Sequence, residues 1–245
     1  MSDFTLYPAI DLRQGRVVRL QQGRADAETT YSEDPVEIAR DFAAQGAQWL
    51  HVVNLDGAFG DAGENLGVLR AICNSVDIPV EFGGGLRSAR DVDQAFGRGV
   101  ARIILGTVAL RNPDLVASLA SEHGERVAVG IDARNGKVAV EGWVETSETT
   151  ATELAARMVD AGVTRFIYTD IARDGMLGGP NLSALAELTG ATDLPLVASG
   201  GITTCDDISR LAELGVAGCI IGRALYEGTL SLADALQRAR RGENT

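Results

Sequence analysis

Cysteine and histidine are scarce in this chain of 245 residues. The three cysteines, Cys73, Cys205 and Cys219, lie far apart and include no CxxC pair. The two histidines, His51 and His123, form no metal-ligand pattern with the cysteines. The sequence therefore predicts neither a structural zinc site nor a disulfide framework.

Long apolar runs and an excess of positive charge are also missing. No stretch approaches the roughly 20 apolar residues that a membrane helix needs, and the first residues lack the basic, apolar and small-residue segments of a secretion signal. The formal net charge is −12, which argues against nonspecific binding to nucleic acid or to an anionic membrane. We therefore expect a cytoplasmic protein, without a nucleic-acid or membrane partner, that holds any anionic ligand in a local pocket.

Glycine, in contrast, is abundant, and several of the 29 glycines belong to a repeat. Shifting the chain against itself by 116 residues superimposes three separated blocks. Because separate blocks rarely share one offset by chance, we infer two homologous halves. The matching blocks are Gly84-Gly85 with Gly200-Gly201, "GVARIILG" from Gly99 with "GVAGCIIG" from Gly215, and "NLGVL" from Asn65 with "NLSAL" from Asn181.

Short apolar stretches alternate with longer amphipathic stretches along both halves. The apolar stretches are typical of parallel strands covered on both faces, and "DPVEIARDFAAQG" predicts a helix that is capped by Asp34 and stopped by Gly46. Eight such units favour a (β/α)8 TIM barrel of the α/β class, one domain over residues 1–245 with half-barrels of about 1–123 and 124–245. The alternative is an open doubly wound sheet, which, unlike a barrel, leaves edge strands. The predicted strands begin at Leu6, Trp49, Pro79, Arg102, Val127, Arg165, Pro195 and Gly218.

Glycine-containing pairs follow four of the predicted strands. In a TIM barrel these C-terminal strand ends form the active face, where glycine lets an anion approach backbone N–H groups beside a helix N-terminus. Because neighbouring strands can share one phosphate, the pairs predict two phosphate sites on opposite sides of the barrel mouth, with Arg87, Thr107 and Arg223 as further donors. The alternative role of the glycines, tight turns alone, fits four symmetric sites less well. The pairs are Gly84-Gly85 with Gly106-Thr107, and Gly200-Gly201 with Gly222-Arg223.

A carboxylate stands at the end of the first and of the fifth predicted strand. Asp11 lies in "AIDLRQGRVV" and Asp132 in "GIDARNGKVA", and these strands face each other across an eight-stranded barrel. Opposed carboxylates are suited to general acid and general base catalysis if their environments separate their pKa values. Alternatively, each aspartate starts a turn.

Several other side chains are candidates with two interpretations each. Thr169, at the end of the sixth strand, either binds a ligand or is a good strand former. Asp170 and Asp174 are either ligand contacts or turn residues. His51 either contacts the ligand or is a core imidazole, and Trp143 either stacks on a base or packs.

Seven stretches together resemble the histidine-biosynthesis isomerases that act on phosphoribosylformimino-aminoimidazole-carboxamide ribotide. The resemblance covers nearly the whole chain, and the set is specific although no single stretch is. It implies an Amadori rearrangement, from aldose to ketose, of a small-molecule substrate with two phosphates, with no metal and no organic cofactor. We expect the protein to be a monomer. The stretches are "PAIDLRQGRVVRLQQG", "LHVVNLDGAFG", "EFGGGLRS", "ILGTVAL", "EGWVETS", "YTDIARDGMLGGPN" and "VASGGI".

The resemblance also implies residue roles. Asp11 would be the general base that takes the C2 proton, Asp132 the general acid that assists ring opening, and Thr169 would support the acid step. Protonation of the ring oxygen opens the ribose to a Schiff base, and loss of the C2 proton gives an enolamine that tautomerises to the aminoketose. The four glycine sites match the family's two phosphate pockets, and the family's other substrate contacts match Arg19, His51, Trp143 and Asp174.

One residue departs from the family pattern. Asn54 stands where the family commonly has an aspartate. An ionic role is therefore not expected at this position, although the amide can still donate and accept hydrogen bonds.

Three other functions share part of these motifs. The sister barrel that cyclises the next intermediate, with ammonia from a glutaminase, has aspartates at the same strand ends, but "EGWVETS" and "LHVVNLDGA" resemble the isomerase. A dual-substrate isomerase that also acts on phosphoribosylanthranilate carries an arginine near the loop tryptophan, where this chain has Glu141. A non-catalytic phosphate-binding barrel would need the glycines but not both Asp11 and Asp132.

Overall fold

Eight parallel strands form a closed barrel in a computed structural model that describes residues 4–60 and 65–241. The order around the barrel is β1, β4, β5, β6, β7, β10, β11, β12, and the β12–β1 and β7–β10 pairings complete the circle. The predicted TIM barrel is therefore confirmed, and the open sheet is wrong. In chain order the strands are β1 (Thr5–Arg13), β2 (Arg16–Gln21), β3 (Arg24–Ser32), β4 (Leu50–Asn54), β5 (Val80–Gly83), β6 (Arg102–Leu105), β7 (Val127–Arg134), β8 (Lys137–Val140), β9 (Glu145–Thr150), β10 (Phe166–Asp170), β11 (Leu196–Ser199) and β12 (Gly218–Ile221).

Helices follow the barrel strands and cover the outside of the barrel. The first helix begins as predicted, because the Asp34 side chain accepts hydrogen bonds from the N–H groups of Val36 and Glu37, each at 3.0 Å. Within the described residues, none of the helices has the length and apolar character needed to cross a bilayer. The helices are α1 (Pro35–Ala44), α2 (Leu55–Phe59), α3 (Asn65–Ser75), α4 (Ala89–Phe96), α5 (Thr107–Arg111), α6 (Pro113–His123), α7 (Ala151–Asp160), α8 (Leu182–Ala191), α9 (Cys205–Glu213), α10 (Arg223–Tyr226) and α11 (Leu232–Arg241).

Two antiparallel hairpins that the sequence analysis did not predict extend the barrel. Strands β1, β2 and β3 form one, and β7, β8 and β9 form the other. Their first turns, Gln14-Gly15 and Asn135-Gly136, have positive φ at both residues, as two-residue hairpin turns require. Asp11 and Asp132 therefore lie inside β1 and β7, and their alternative interpretation as turn-starting residues is wrong.

The buried apolar residues form two layers. The larger cluster lies between the strands and the helices and includes Ile10, Val52 and Phe82. The smaller cluster fills the barrel interior, where Tyr7 and Ile220 alternate with small residues such as Ala9. The interior is thus packed below the mouth, so a ligand has room only at the C-terminal ends of the strands.

Candidate active site

A cavity of about 820 Å³ opens at the C-terminal ends of the barrel strands. Apart from Asp170, the site residues predicted from the sequence line this cavity, although they come from most of the barrel strands and the loops that follow them. Their placement agrees with a shared site, while their individual roles stay predictions. The lining includes Asp11, Arg19, His51, Gly84, Gly85, Arg87, Gly106, Thr107, Asp132, Trp143, Thr169, Asp174, Gly200, Gly201, Gly222 and Arg223.

Asp11 is held in an ion pair on one side of the cavity. Arg19 Nη1 donates to Asp11 Oδ2 at 2.6 Å, and Arg19 Nη2 donates to the carbonyl oxygen of Ala9 at 3.2 Å. The β1–β2 hairpin brings Arg19 close to Asp11, because Val18, the residue before Arg19, is the register partner of Asp11. The buried Arg19 Nε–H has no acceptor among the described residues.

Asp132 lies on the opposite side, four strand positions away on β7. Burial raises the pKa of the Asp132 carboxyl, while hydrogen bonds with the side chains of Trp143 and Thr169 and the nearby His51 act in the opposite direction. Thr169 is the register partner of Asp132 on β10. The two aspartates thus differ in environment: Asp11 is paired with a cation, whereas burial raises the pKa of Asp132.

A third carboxyl, that of Asp174, enters the cavity from the loop after β10. Burial, together with the charges of Asp11 and Asp132, raises the pKa of Asp174 to about 7 against the opposing effects of Arg19 and His51. The cavity therefore crowds three carboxyl groups around few cations. This crowding is suited to proton chemistry but opposes folding.

Replacement of Asp174 with asparagine should stabilise the protein at neutral and alkaline pH. Folding raises this pKa from 3.8 to about 7, so the folded state retains a proton that the unfolded state loses, and stability falls as pH rises from about 4 to about 7. We expect Asp174→Asn to raise the free energy of unfolding by roughly 1–3 kcal/mol at pH 8 and to have no effect below about pH 4. Urea unfolding at several pH values measures this difference. Asp193→Asn, an exposed change outside the cavity, is the control, and a benefit independent of pH would contradict the explanation.

Three loops meet above Asp132 and Asp174. The ring of Trp143 lies against Gly23 in the β2–β3 turn, where a Cβ atom would overlap it. The backbone N–H of Gln22 in the same turn donates to the carbonyl oxygen of Asp174 at 3.2 Å. On the far side, the backbone N–H of Glu141 donates to Thr107 Oγ1 at 2.9 Å. Trp143 therefore both lines the cavity and packs.

Glycine is required in the pairs after β5 and β11 for two reasons. The backbone has a positive φ there, and a neighbouring backbone lies too close for a side chain. Gly84 and Gly200 have φ values of +94° and +91°, and a Cβ atom on either would overlap the backbone of Asn54 or Asp170, respectively. These contacts obey the repeat offset of 116 residues, from 84 to 200 and from 54 to 170. The two predicted phosphate sites therefore have nearly the same backbone.

Asn54 and Asp170 support these glycines rather than the ligand. Neither lines the cavity within the described part of the chain. The side-chain oxygens accept hydrogen bonds from matching amides: Asn54 Oδ1 from Asn65 Nδ2 at 2.8 Å, and Asp170 Oδ2 from Asn181 Nδ2 at 2.6 Å. An amide at position 54 thus performs the same positioning task as the carboxylate at position 170.

The two predicted phosphate sites have arginine and threonine in exchanged positions of the repeat. By the repeat offset, Arg87 corresponds to Thr203, which does not line the cavity, and Thr107 corresponds to Arg223. A backbone carbonyl holds each arginine: Arg87 Nη2 donates to Gly57 in α2 at 3.0 Å, and Arg223 Nη1 donates to Gly175 in the loop after β10 at 2.7 Å. Short helices begin directly after Gly106 and Gly222, and no side chain within the described ranges caps them. Their first N–H groups are thus available to an anion.

The sequence analysis missed several polar residues of the cavity, among them Ser199, Arg111 and Asn112. Ser199 ends β11 as the register partner of Thr169, and its position before Gly200-Gly201 was the available signal. Arg111 pairs with Glu145 at 2.7 Å and with Glu141 at 3.4 Å. These partners lie in the β8–β9 hairpin region, which had not been predicted.

Comparison with known proteins agrees with this architecture. The family described as "Histidine biosynthesis protein" matches residues 5–231. Among similar relatives, 1-(5-phosphoribosyl)-5-((5-phosphoribosylamino)methylideneamino) imidazole-4-carboxamide isomerase of Moorella thermoacetica is 50% identical over 96% of this chain and 98% of its own length. The proteins of the same name from Syntrophomonas wolfei and Chloroflexus aurantiacus are 48% and 50% identical, over 96% and 94% of this chain and 98% and 96% of their own lengths. The chain belongs to the histidine biosynthesis protein family.

Proposed function

We propose that this chain catalyses the Amadori isomerisation for which its relatives are named, converting the bis-phosphate aminoaldose ProFAR into the aminoketose PRFAR in histidine biosynthesis. The observation that carries the proposal is the opposition of Asp11 and Asp132 across one cavity, in different electrostatic environments, between two phosphate sites. Relatives about 50% identical over nearly the whole chain support it. The resemblance found in the sequence assigned the same reaction.

The mechanism follows from the environments of the two aspartates. Asp132, whose pKa is raised by burial, gives its proton to the ring oxygen and so opens the ribose to a Schiff base. Asp11, whose ion pair with Arg19 orients a charged carboxylate, removes the C2 proton. The enolamine that results tautomerises to the ketose. Every step only transfers protons between the substrate and the two aspartates and shifts electron pairs within the substrate. The proposed reaction therefore needs neither a redox cofactor nor a metal.

The glycine sites position the substrate by its ends. A phosphate at each site, held by backbone N–H groups with Arg87 on one side and Arg223 on the other, would stretch the molecule across the mouth. The reacting sugar would then lie between Asp11 and Asp132. We further propose that the protein acts as a cytoplasmic monomer whose partner is this small molecule.

The decisive assay uses the purified protein with the bis-phosphate aminoaldose, without glutaminase or ammonia, and repeats it with phosphoribosylanthranilate. Turnover of the aminoaldose alone supports a single-substrate isomerase. Turnover of both substrates would favour the dual-substrate alternative. Turnover of neither would favour the cyclase or the binding barrel.

A matched pair of glycine variants tests the link between Arg19 and Asp11. Gly222 and Gly106 have similar backbones, with φ and ψ of −110° and −103° against −96° and −103°. A Cβ atom on Gly222 would meet the Arg19 guanidinium, whereas nothing lies within 4 Å of one on Gly106. We expect Gly222→Ala to lower kcat/KM about tenfold more than Gly106→Ala, a difference of ~1.4 kcal/mol. Equal losses in steady-state assays would show that Arg19 does not act through Asp11.

A further inference from the structure

A row of charged residues crosses three neighbouring strands just below the cavity. His51 on β4 is the register partner of Glu81 on β5, and Glu81 is the register partner of Arg102 on β6. All three are buried, and the Glu81 side chain is 0% exposed. Burying a charge without a partner is costly. The contacts among these three side chains therefore indicate the role of the row.

Each carboxylate oxygen of Glu81 has its own partner. Oε1 lies 2.8 Å from His51 Nδ1, and Oε2 accepts a hydrogen bond from Arg102 Nη1 at 3.0 Å. The Arg102 guanidinium stacks over the ring of Trp49, 4.2 Å from its centroid. Arg102 therefore holds the Glu81 carboxylate by the oxygen that does not contact His51.

These contacts determine which ring nitrogen of His51 carries a proton. A carboxylate paired with arginine is ionised and can only accept hydrogen bonds. His51 Nδ1 must then be the donor, which in a neutral ring leaves Nε2 without a proton.

The other edge of the ring belongs to the cavity. His51 lines the cavity, whereas Glu81 and Arg102 are not among its lining residues in the described ranges. Besides Glu81, the titratable groups that face His51 are Asp132 on β7 and Asp174 in the loop after β10. Nε2 is thus presented where the substrate sugar would lie.

We propose that Glu81, held by Arg102, is a positioning residue that fixes the Nδ1–H tautomer of His51 and so presents Nε2 to the cavity as the acceptor for a substrate hydroxyl. The hydroxyl contact rests on the proposed isomerase function, while the tautomer does not. In this assignment Glu81 never touches the substrate and acts entirely through His51. Arg102 keeps the Glu81 carboxylate ionised and correctly turned.

Nitrogen NMR of the histidine rings tests the tautomer without substrate. The chain has two histidines, so His123→Asn leaves His51 as the single labelled ring, and pH 8 keeps an ordinary imidazole neutral. We expect a protonated Nδ1 and an unprotonated Nε2. In Glu81→Gln, Arg102 would take the amide oxygen, the amide NH2 would face His51, and the ring proton should move to Nε2. Glu153→Gln, in the capping box that begins α7, is the control and should leave the ring unchanged.

Each contrary spectrum overturns the proposal. A protonated Nε2 or a doubly protonated ring in the parent protein would remove the acceptor. An unchanged Nδ1–H tautomer in Glu81→Gln would show that Glu81 does not fix it. These readings stand even if the isomerase assay fails, so failure of the proposed function and failure of the tautomer assignment are distinguishable.

A double-mutant cycle tests whether Glu81 acts through His51 in turnover. We expect Glu81→Gln to lower kcat/KM about tenfold or more in the parent protein, as a reversed histidine tautomer does elsewhere. In a His51→Gln background the same change should cost less than about twofold, because the residue that Glu81 orients is gone. Equal losses in both backgrounds would mean that Glu81 only supports the barrel, and would overturn the proposal.

Discussion

Replacement of Asp132 with asparagine should lower kcat on the order of 10³-fold while the affinity for a bis-phosphate ligand changes little. The amide keeps the shape of the side chain and its contacts with Trp143 and Thr169 but has no proton to give to a ring oxygen. Because burial penalises charge at position 132 and asparagine is neutral, the variant should fold as stably as the parent. Stopped-flow or steady-state turnover, together with calorimetric binding of the product, measures both quantities.

Asp11→Asn should cause a similar loss of kcat but should also cost stability. The amide cannot take the C2 proton, and it leaves the buried Arg19 guanidinium without its ion-pair partner at 2.6 Å. Asp56→Asn is a suitable control, since Asp56 is buried yet does not line the cavity. Turnover within tenfold of the parent in either catalytic variant would contradict the assigned acid and base roles.

Gly84→Ala should be the most destabilising small substitution near the site. Alanine would have to adopt a φ of +94°, and its Cβ would lie 2.9 Å from the backbone carbon and nitrogen of Asn54, with the carbonyl oxygen closer still. The strain and the backbone overlap together should cost about 3 kcal/mol or more in the free energy of unfolding. Chemical denaturation measures this loss.

Gly60→Ala separates the two causes. Gly60 also has a positive φ, +107°, but among the described residues a Cβ atom at this position would have nothing within 4 Å of it, so alanine there should cost only about 1–2 kcal/mol of backbone strain. The difference between the variants isolates the contact between the glycine turn and Asn54. If both variants lose the same stability, close packing against β4 is not the reason for glycine at position 84.

The parts of the fold predicted from sequence are those with local or repeated signals. The alternation of apolar strands with helices and the offset of 116 residues between Gly84 and Gly200 predicted the barrel and the position of the glycine turns. The strand ends of a parallel barrel share one face, so Asp11 and Asp132 could be placed across one cavity before any contact was known.

The missed features depend on pairings between distant residues. Asn135-Gly136, a typical two-residue turn, was the available signal for the second hairpin. The Asp11–Arg19 ion pair depends on the first hairpin, so it could not be foreseen. Glu81 and Arg102 were hidden inside stretches interpreted as simply apolar. Their significance depends on the parallel register that aligns both with His51.

The exchanged arginine and threonine positions have a consequence for the direction of the bound ligand. In the proposed binding mode each phosphate site has one arginine, Arg87 or Arg223, and nearly the same glycine backbone, so charge would distinguish poorly between the two ends of the ligand. A ligand turned end for end would meet Asp132 where it needs Asp11. The choice of orientation therefore falls to the middle of the cavity, where the ring of Trp143 against Gly23 lies on one side only. In this barrel the two ends of the cavity would hold the ligand, and the centre would determine its orientation.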